Sequence, residues 1–173
     1  YKNIIVGFSG GIDSTVLLYS VCLLARKGLL RSNIKAIHVN HGLNDSCEEW
    51  ESFCRRICSA YNVDLQVKNL EGLSKGSDLH SEGFLRTERY REFESALDPD
   101  SVLLLAHHQD DQIETLLLRL NRGAGIRGLS GIPERRSLGE GSIYRPLLNF
   151  DRNSISEFAK KEGLQWIEDS SNA

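Results

Sequence analysis

The stretch Ile4-Ile5-Val6-Gly7-Phe8-Ser9-Gly10-Gly11-Ile12-Asp13-Ser14-Thr15 decides the fold. Its first five residues are a β-rich run that stops at a serine and two adjacent glycines. Asp13-Ser14-Thr15 then opens an apolar helix reaching about Lys27. Adjacent glycines let the chain turn tightly and bring backbone N–H groups close to an anion with no Cβ in the way. The helix points its unpaired N–H groups and the positive end of its dipole at the same spot. Ser9, Ser14 and Thr15 add hydroxyl donors, so a phosphate or pyrophosphate fits. Asp13 would be repelled by bare phosphate unless it orients Mg²⁺ or a substrate group beside it. No Gly-Lys-Ser/Thr follows, so this is not a Walker loop, nor is it Gly-x-Gly-x-x-Gly. The competing account is structural: an Asp/Ser helix cap after a glycine turn.

Outward from this corner the pattern repeats. Strand-like runs at Ile34 to Val39, Asp64 to Lys68, Val102 to Ala106 and Ile143 to Leu147 alternate with helical segments. Those segments run from about Cys47 to Tyr61, Ser81 to Leu97, Asp110 to Leu120 and Asn153 to Glu162. The uninterrupted apolar run at Val102 to Ala106 suits a strand covered on both faces. Alternation of this kind indicates an α/β fold: a three-layer, Rossmann-like parallel sheet with helices on both faces. Ligands of such sheets bind beyond the carboxyl ends of the strands. Those ends carry Ser9-Gly10-Gly11, His38 to His41, and His107 to Asp111.

Composition is consistent with one globular domain. The chain has 173 residues, 40% hydrophobic and 26% charged, which excludes a disordered tail or a fibrous repeat. At this length roughly 70% of the unfolded surface can be buried. The apolar stretch Val16 to Ala25 is too short to cross a bilayer, and no signal peptide is visible, so a cytoplasmic location without membrane is expected. Met is absent altogether, which suggests a trimmed fragment. Cys54 and Cys58 fall on the stripe Trp50, Phe53, Cys54, Ile57, Cys58, Tyr61 and read as core. The alternative, three thiolates including Cys47, lacks paired C-x-x-C spacing and a fourth ligand. The net charge of −3 hides an asymmetry: Arg119 to Arg152 contains seven arginines against three acids, giving +4, a patch of the kind a phosphate backbone meets.

Ser9-Gly10-Gly11-Ile12-Asp13-Ser14 after the first strand resembles the signature of the PP-loop family of ATP pyrophosphatase-type enzymes. Several later segments resemble the tRNA(Ile)-lysidine synthetase family within it. They are His38-Val39-Asn40-His41-Gly42-Leu43, Glu82 with Arg86 and Arg89-Tyr90, and Ala106-His107-His108-Gln109-Asp110-Asp111 through Glu114-Thr115. Arg122-Gly123 to Gly128-Leu129, Arg145-Pro146-Leu147 and Trp166-Ile167-Glu168-Asp169 to Asn172 follow in the same order. The resemblance covers nearly the whole chain. It implies residues 1–173 as an ATP-binding catalytic domain, with the family's C-terminal tRNA-binding region not included. It also implies a reaction: ATP adenylates C2 of the wobble cytidine of tRNA(Ile), releasing diphosphate, and L-lysine then displaces AMP to form lysidine.

Under that resemblance Ser9, Gly10, Gly11, Ile12, Asp13 and Ser14 would bind ATP, with Asp13 also catalytic and a ligand for Mg²⁺. Arg89 would neutralise phosphoryl charge, and His107 is a catalytic candidate. Asp111 and Glu114 would bind the lysine ammonium groups, and Asp110 would assist a metal. Arg122 and Arg127 sit in a glycine-rich basic stretch suited to RNA phosphates. The plainer accounts stay open: a Glu82–Arg86 surface pair, a capping box from Asp111 and Glu114, and a loop without a partner. Adjacent histidines on a strand point opposite ways, so one of His107 and His108 is expected in the cleft and the other packed. His38 and His41 bracket the second strand end, where an adenine is expected to lie, with a backbone contact from this strand as the alternative to an imidazole one, and Trp50, Tyr90 and Trp166 read as core. The family resemblance leaves a homodimer open. Other function classes remain: another adenylating PP-loop enzyme such as a tRNA thiolase or an amide-forming synthetase, or an ATP sensor without turnover.

Overall fold

The computed structural model describes residues 1–42, 47–70, 82–123 and 130–168. Among them the elements run β1 (Asn3–Gly7), α1 (Ile12–Arg26), β2 (Asn33–Asn40), α2 (Cys47–Ala60), β3 (Asp64–Asn69) and α3 (Glu82–Ser95). They continue with β4 (Ser101–Leu104), α4 (Gln109–Asn121), β5 (Arg135–Leu138), β6 (Gly141–Tyr144) and α5 (Arg152–Lys161). The sheet order is β3-β2-β1-β4-β6-β5. Every neighbouring pair is parallel except β5 with β6.

Alternation along β1 splits the core in two. Ile4 and Val6 join Leu17, Leu18 and Val21 of α1 and Cys54, Ile57 and Cys58 of α2. Ile5 joins Ile37, Val39, Leu103 and Phe93 of α3 on the opposite face. Helices therefore cover both faces, as the alternation predicts. Val6 and Leu18 expose none of their surface, and each such burial contributes about 1.5–3 kcal/mol. α5 packs on α1 through Val16, Ile155 and Ala159. Its start is fixed by Asp151, whose carboxylate accepts from the Ser154 N–H at 2.7 Å. Burial pushes the Cys54 and Cys58 thiols up to about 12, so both are neutral packing groups.

The sheet departs from the wholly parallel expectation at one edge. Arg135-Arg136-Ser137-Leu138 forms an antiparallel hairpin with β6 and buries only Leu138. An edge strand with one buried residue leaves no hydrophobic signature to read. β6 ends at Tyr144, which frees Arg145-Pro146-Leu147 from the sheet. β4 also ends early, at Leu104, so His107 and His108 are not on a strand.

β1, β2 and β3 wind outward in one direction, and the chain then returns to place β4 on the other side of β1. This reversal opens a crevice between the carboxyl ends of β1 and β4. The two strands approach closely there: a Cβ on Gly7 would lie 2.7 Å from the Leu105 side chain. Among the described residues no helix is long and apolar enough to cross a membrane.

Candidate active site

A cavity of about 1060 Å³ occupies this crevice. Its walls come from the β1–α1 loop, the end of β2, α3, the β4–α4 junction, α5 and the Trp166–Glu168 segment. The convergence expected at the strand ends is thus observed.

The glycine loop is built by its own hydroxyls. Ser14 Oγ donates to the Gly11 carbonyl at 3.0 Å and lies 3.1 Å from Ser9 Oγ. The Ser9 N–H donates to Ser14 Oγ at 3.3 Å, and the Gly11 N–H to Ser9 Oγ at 3.4 Å. These hydroxyls shape the loop. Thr15, expected to donate to the anion, is buried and does not line the cavity. The first helical bond runs from the Thr15 N–H to the Gly11 carbonyl at 3.0 Å, leaving the N–H groups of Ile12, Asp13 and Ser14 without an intrahelical acceptor. Gly10 has φ +88°, and a Cβ there would sit 3.2 Å from Cys54 Sγ and 3.3 Å from Phe53. Its carbonyl accepts from the Ile167 N–H at 2.9 Å, which ties the Trp166–Glu168 segment to the loop.

Asp13 lines the cavity with its Oδ1 buried and lacking a hydrogen-bond partner among the described residues. Its Oδ2 is 3.7 Å from His108 Nε2. Burial raises the Asp13 carboxyl above its ordinary value, against the opposing charges of His108 and Arg152. A carboxylate oxygen left without a donor is a place for a cation. Among the described residues no three His, Cys, Asp or Glu side chains cluster to hold a metal alone. Mg²⁺ commonly takes one or two carboxylates together with substrate phosphates, so the donor set fits that ion only in the presence of a phosphate.

At the β4–α4 junction both histidines line the cavity, contrary to the expectation of one packed and one exposed to the cleft. The reason is that they lie beyond the end of β4, where strand alternation no longer applies. His108 is buried, with Nδ1 3.6 Å from Asp111 Oδ2, and its N–H donates to the same carboxylate oxygen at 2.7 Å. The capping box is therefore His108 with Asp111, one turn earlier than the expected Asp111–Glu114 pair, and Asp111 also lines the cavity. Glu114 and Asp110 are exposed and are not brought into the cavity wall. His107 Nδ1 accepts from Arg145 Nε at 3.3 Å. Burial, aided by Arg145, Arg86 and Arg89 and opposed by Asp111, lowers the His107 imidazole to about 4.

α3 brings Arg89 and Tyr90 to the wall. The positive charge of Arg89 helps to lower both the His41 and the His107 imidazoles. Arg86 is exposed, with its guanidinium 5.4 Å from the Tyr90 ring centre. The side chain of Glu82 lies outside the described residues, so the Glu82–Arg86 pair does too. His38 is buried with Nδ1 2.9 Å from the Phe8 carbonyl, a cross-link between β1 and β2. His41 lines the cavity, and burial, with Arg89 and His38, lowers its imidazole. Arg122 is exposed at the end of α4, and Arg127 lies outside the described residues.

Three contributions escaped sequence reasoning. Arg152, Ser156 and Lys160, four residues apart on one face of α5, line the cavity beside the glycine loop. The i, i+4, i+8 spacing was a readable signal. Trp50 and Trp166 line the cavity as well, although their apolar neighbours suggest core. Arg145, part of a quoted motif, holds His107.

The PP-loop domain description matches residues 1–173. The chain belongs to the PP-loop family. Among curated PP-loop relatives, tRNA(Ile)-lysidine synthase of Pseudomonas putida is 46% identical over 167 residues, 96% of this chain and 38% of that protein. The tRNA(Ile)-lysidine synthase of Coxiella burnetii is 39% identical over 172 residues, 99% of this chain and 37% of that protein. The chain thus spans less than two fifths of the length of these relatives. The solved tRNA thiolase NcsA from Methanococcus maripaludis superposes with a TM-score of 0.74 at 19% identity, over 96% of this chain and 59% of that one. That likeness supports the α/β fold alone.

Proposed function

We propose that the chain is the catalytic domain of a tRNA(Ile)-lysidine synthase, which adenylates C2 of the wobble cytidine in tRNA(Ile) and joins L-lysine to it. The observation that carries this reading is the meeting, in one cavity, of the glycine loop, Arg89, His107 and Asp111, in a chain 39–46% identical to synthases of that name along nearly its full length. In the first step the cytidine C2 oxygen bonds to the α-phosphorus of ATP and the bond to diphosphate breaks. Ser9 to Ser14 receive the departing diphosphate, since the N–H groups of Ile12, Asp13 and Ser14 meet charge that grows as the bond breaks. Asp13 would hold Mg²⁺, which when bound supplies further neutralisation of the phosphates. Arg89 neutralises phosphoryl charge from α3. Arg152 and Lys160 face the same end of the cavity from α5. In the second step the lysine ε-amine, having lost a proton, bonds to C2 and AMP leaves. Asp111 binds a lysine ammonium group, with Glu114 one turn further along α4. Arg122 and Arg127 meet RNA phosphates. The free cysteines and the tRNA substrate accord with a cytoplasmic reaction.

The test replaces the matching segment of the Pseudomonas putida synthase with residues 1–173 and supplies CAU-anticodon tRNA(Ile), ATP and labelled lysine. Label in the tRNA, with one AMP formed per lysine joined, is expected. A folded, ATP-binding chimera that leaves the tRNA unlabelled would overturn the reading.

A further inference from the structure

Arg145 is 2% exposed, the one fully buried Lys, Arg, Asp or Glu side chain among the described residues. Its guanidinium donates to the Pro133 carbonyl at 2.7 Å, to His107 Nδ1 at 3.3 Å and to the Tyr90 hydroxyl at 3.4 Å. None of these partners is a carboxylate. A buried cation held by neutral acceptors is expensive, because nothing repays its lost hydration with opposite charge. What it does for its partners is therefore informative.

A guanidinium has five N–H donors and no acceptor. Its contact with His107 Nδ1 requires a lone pair on that nitrogen, so the neutral ring carries its hydrogen on Nε2. We propose that Arg145 is a positioning residue that holds His107 as the neutral Nε2–H tautomer, so that His107 meets substrate as a hydrogen-bond donor and not as a general base. The charged groups facing His107 come from three elements, and cations predominate among them. Arg145 follows β6, Arg86 and Arg89 come from α3, and Asp111 from α4, so three cations oppose one carboxylate. Burial acts in the same direction, and the ring stays uncharged. His107 lines the cavity, and with Nδ1 occupied its remaining ring nitrogen is the one available to a ligand. The matching ligand atom is an acceptor: a phosphoryl or carbonyl oxygen. The substrate oxygen concerned rests on the adenylation reading above, whereas the tautomer does not.

Two measurements test this. The ¹⁵N-labelled 173-residue chain, with His107→Gln to assign the signal, should show His107 at pH 7 with a protonated Nε2 and a bare Nδ1. A proton on Nδ1, or a cationic ring at that pH, would overturn the proposal whatever the chain catalyses. Arg145→Met should mix the tautomers and Arg145→Lys should restore the original one in part. An unchanged spectrum in a folded Arg145→Met chain would leave Arg145 no positioning role, and if that variant does not fold, the wild-type spectrum still decides. In the chimera, His107→Gln keeps an Nε2–H donor but cannot accept a proton as a base. It should retain AMP formation within about 10-fold, while His107→Ala loses on the order of 10²-fold. Equal losses in the two variants would make His107 the base.

Discussion

The ends of β1 and β4 lie side by side and serve one cavity, yet they are built in opposite ways. The β1–α1 corner is local: Ser9, Gly11 and Ser14 bond to one another within six residues, and a helix N-terminus supplies the donors. The β4–α4 junction is assembled from afar, with Arg145 reaching His107 across 38 positions and α3 adding two more cations. The electrostatics differ in the same sense. At the first corner a half-buried carboxyl group, Asp13, has a buried oxygen that finds no donor among the described residues. At the second a half-buried imidazole, His107, has its Nδ1 lone pair already taken. One end is left wanting a cation, and the other is surrounded by them.

The sharpest way to break this contrast is Asp13→Asn. The amide keeps the shape of the side chain but lacks the carboxylate charge that would hold Mg²⁺. AMP formation in the chimera should fall on the order of 10²–10³-fold, the loss expected when a pre-organised electrostatic group is removed. Stability should move the other way. Asp13 has a raised folded value, so its ionised form costs stability above its ordinary 3.8, and the neutral amide relieves that cost at pH 7. Urea unfolding of the chain at pH 7 reads this directly. A variant that is inactive and also less stable would mark Asp13 as structural.

Gly10→Ala comes next, because it tests whether the local corner depends on absent side chains. The positive φ and the 3.2 Å and 3.3 Å contacts with Cys54 and Phe53 leave a methyl group no relaxed position. A cost of about 1–3 kcal/mol is expected in urea unfolding. ATP affinity should fall with it, since the Gly10 carbonyl also holds Ile167 over the loop. Gly28→Ala serves as the control: it shares a positive φ but meets nothing within 4 Å, so it should cost less and leave nucleotide binding unchanged. Equal effects would trace the loss to backbone conformation alone.

How much was legible follows the same division. α1 was expected from Asp13 to Lys27 and runs Ile12–Arg26, because glycine, cap and apolar run are all written locally. The helices on both faces of a mainly parallel sheet followed from alternation, whereas the order that sets β4 beside β1 did not. β5 was not legible, since three of its four residues are exposed. The pairing of His108 with Asp13 was not legible either, because it joins α1 to the start of α4 only after the sheet has formed. Arg145 stood in a quoted motif, but its work depends on β6 ending at Tyr144 and on the closeness of Tyr90 from α3. Glu114 is the reverse case. Three residues beyond Asp111 it completes a persuasive acidic pattern, yet its side chain is exposed outside the cavity wall.

The smallest expected effect is an acid limb in stability, and it separates the two ends by sign. His107 has a folded value of about 4 against an ordinary 6.5, so the unfolded chain binds its proton first. Its contribution is fully present above pH 6.5 and is lost as pH falls to about 4. Asp13 is opposite: its raised value favours the fold at low pH, below 3.8, and that contribution is lost as pH rises through the folded value. His41, also lowered by burial, adds to the limb in the same direction as His107. His107→Gln should therefore flatten, without abolishing, the decline in urea midpoint between pH 6.5 and 4. Asp13→Asn should leave the decline attributable to His107 in place, because the group that titrates there sits at the other strand end. If His107→Gln leaves the limb unchanged, the imidazole is not held neutral by its surroundings, and the contrast between a cation-seeking end and a cation-crowded end fails at its second member.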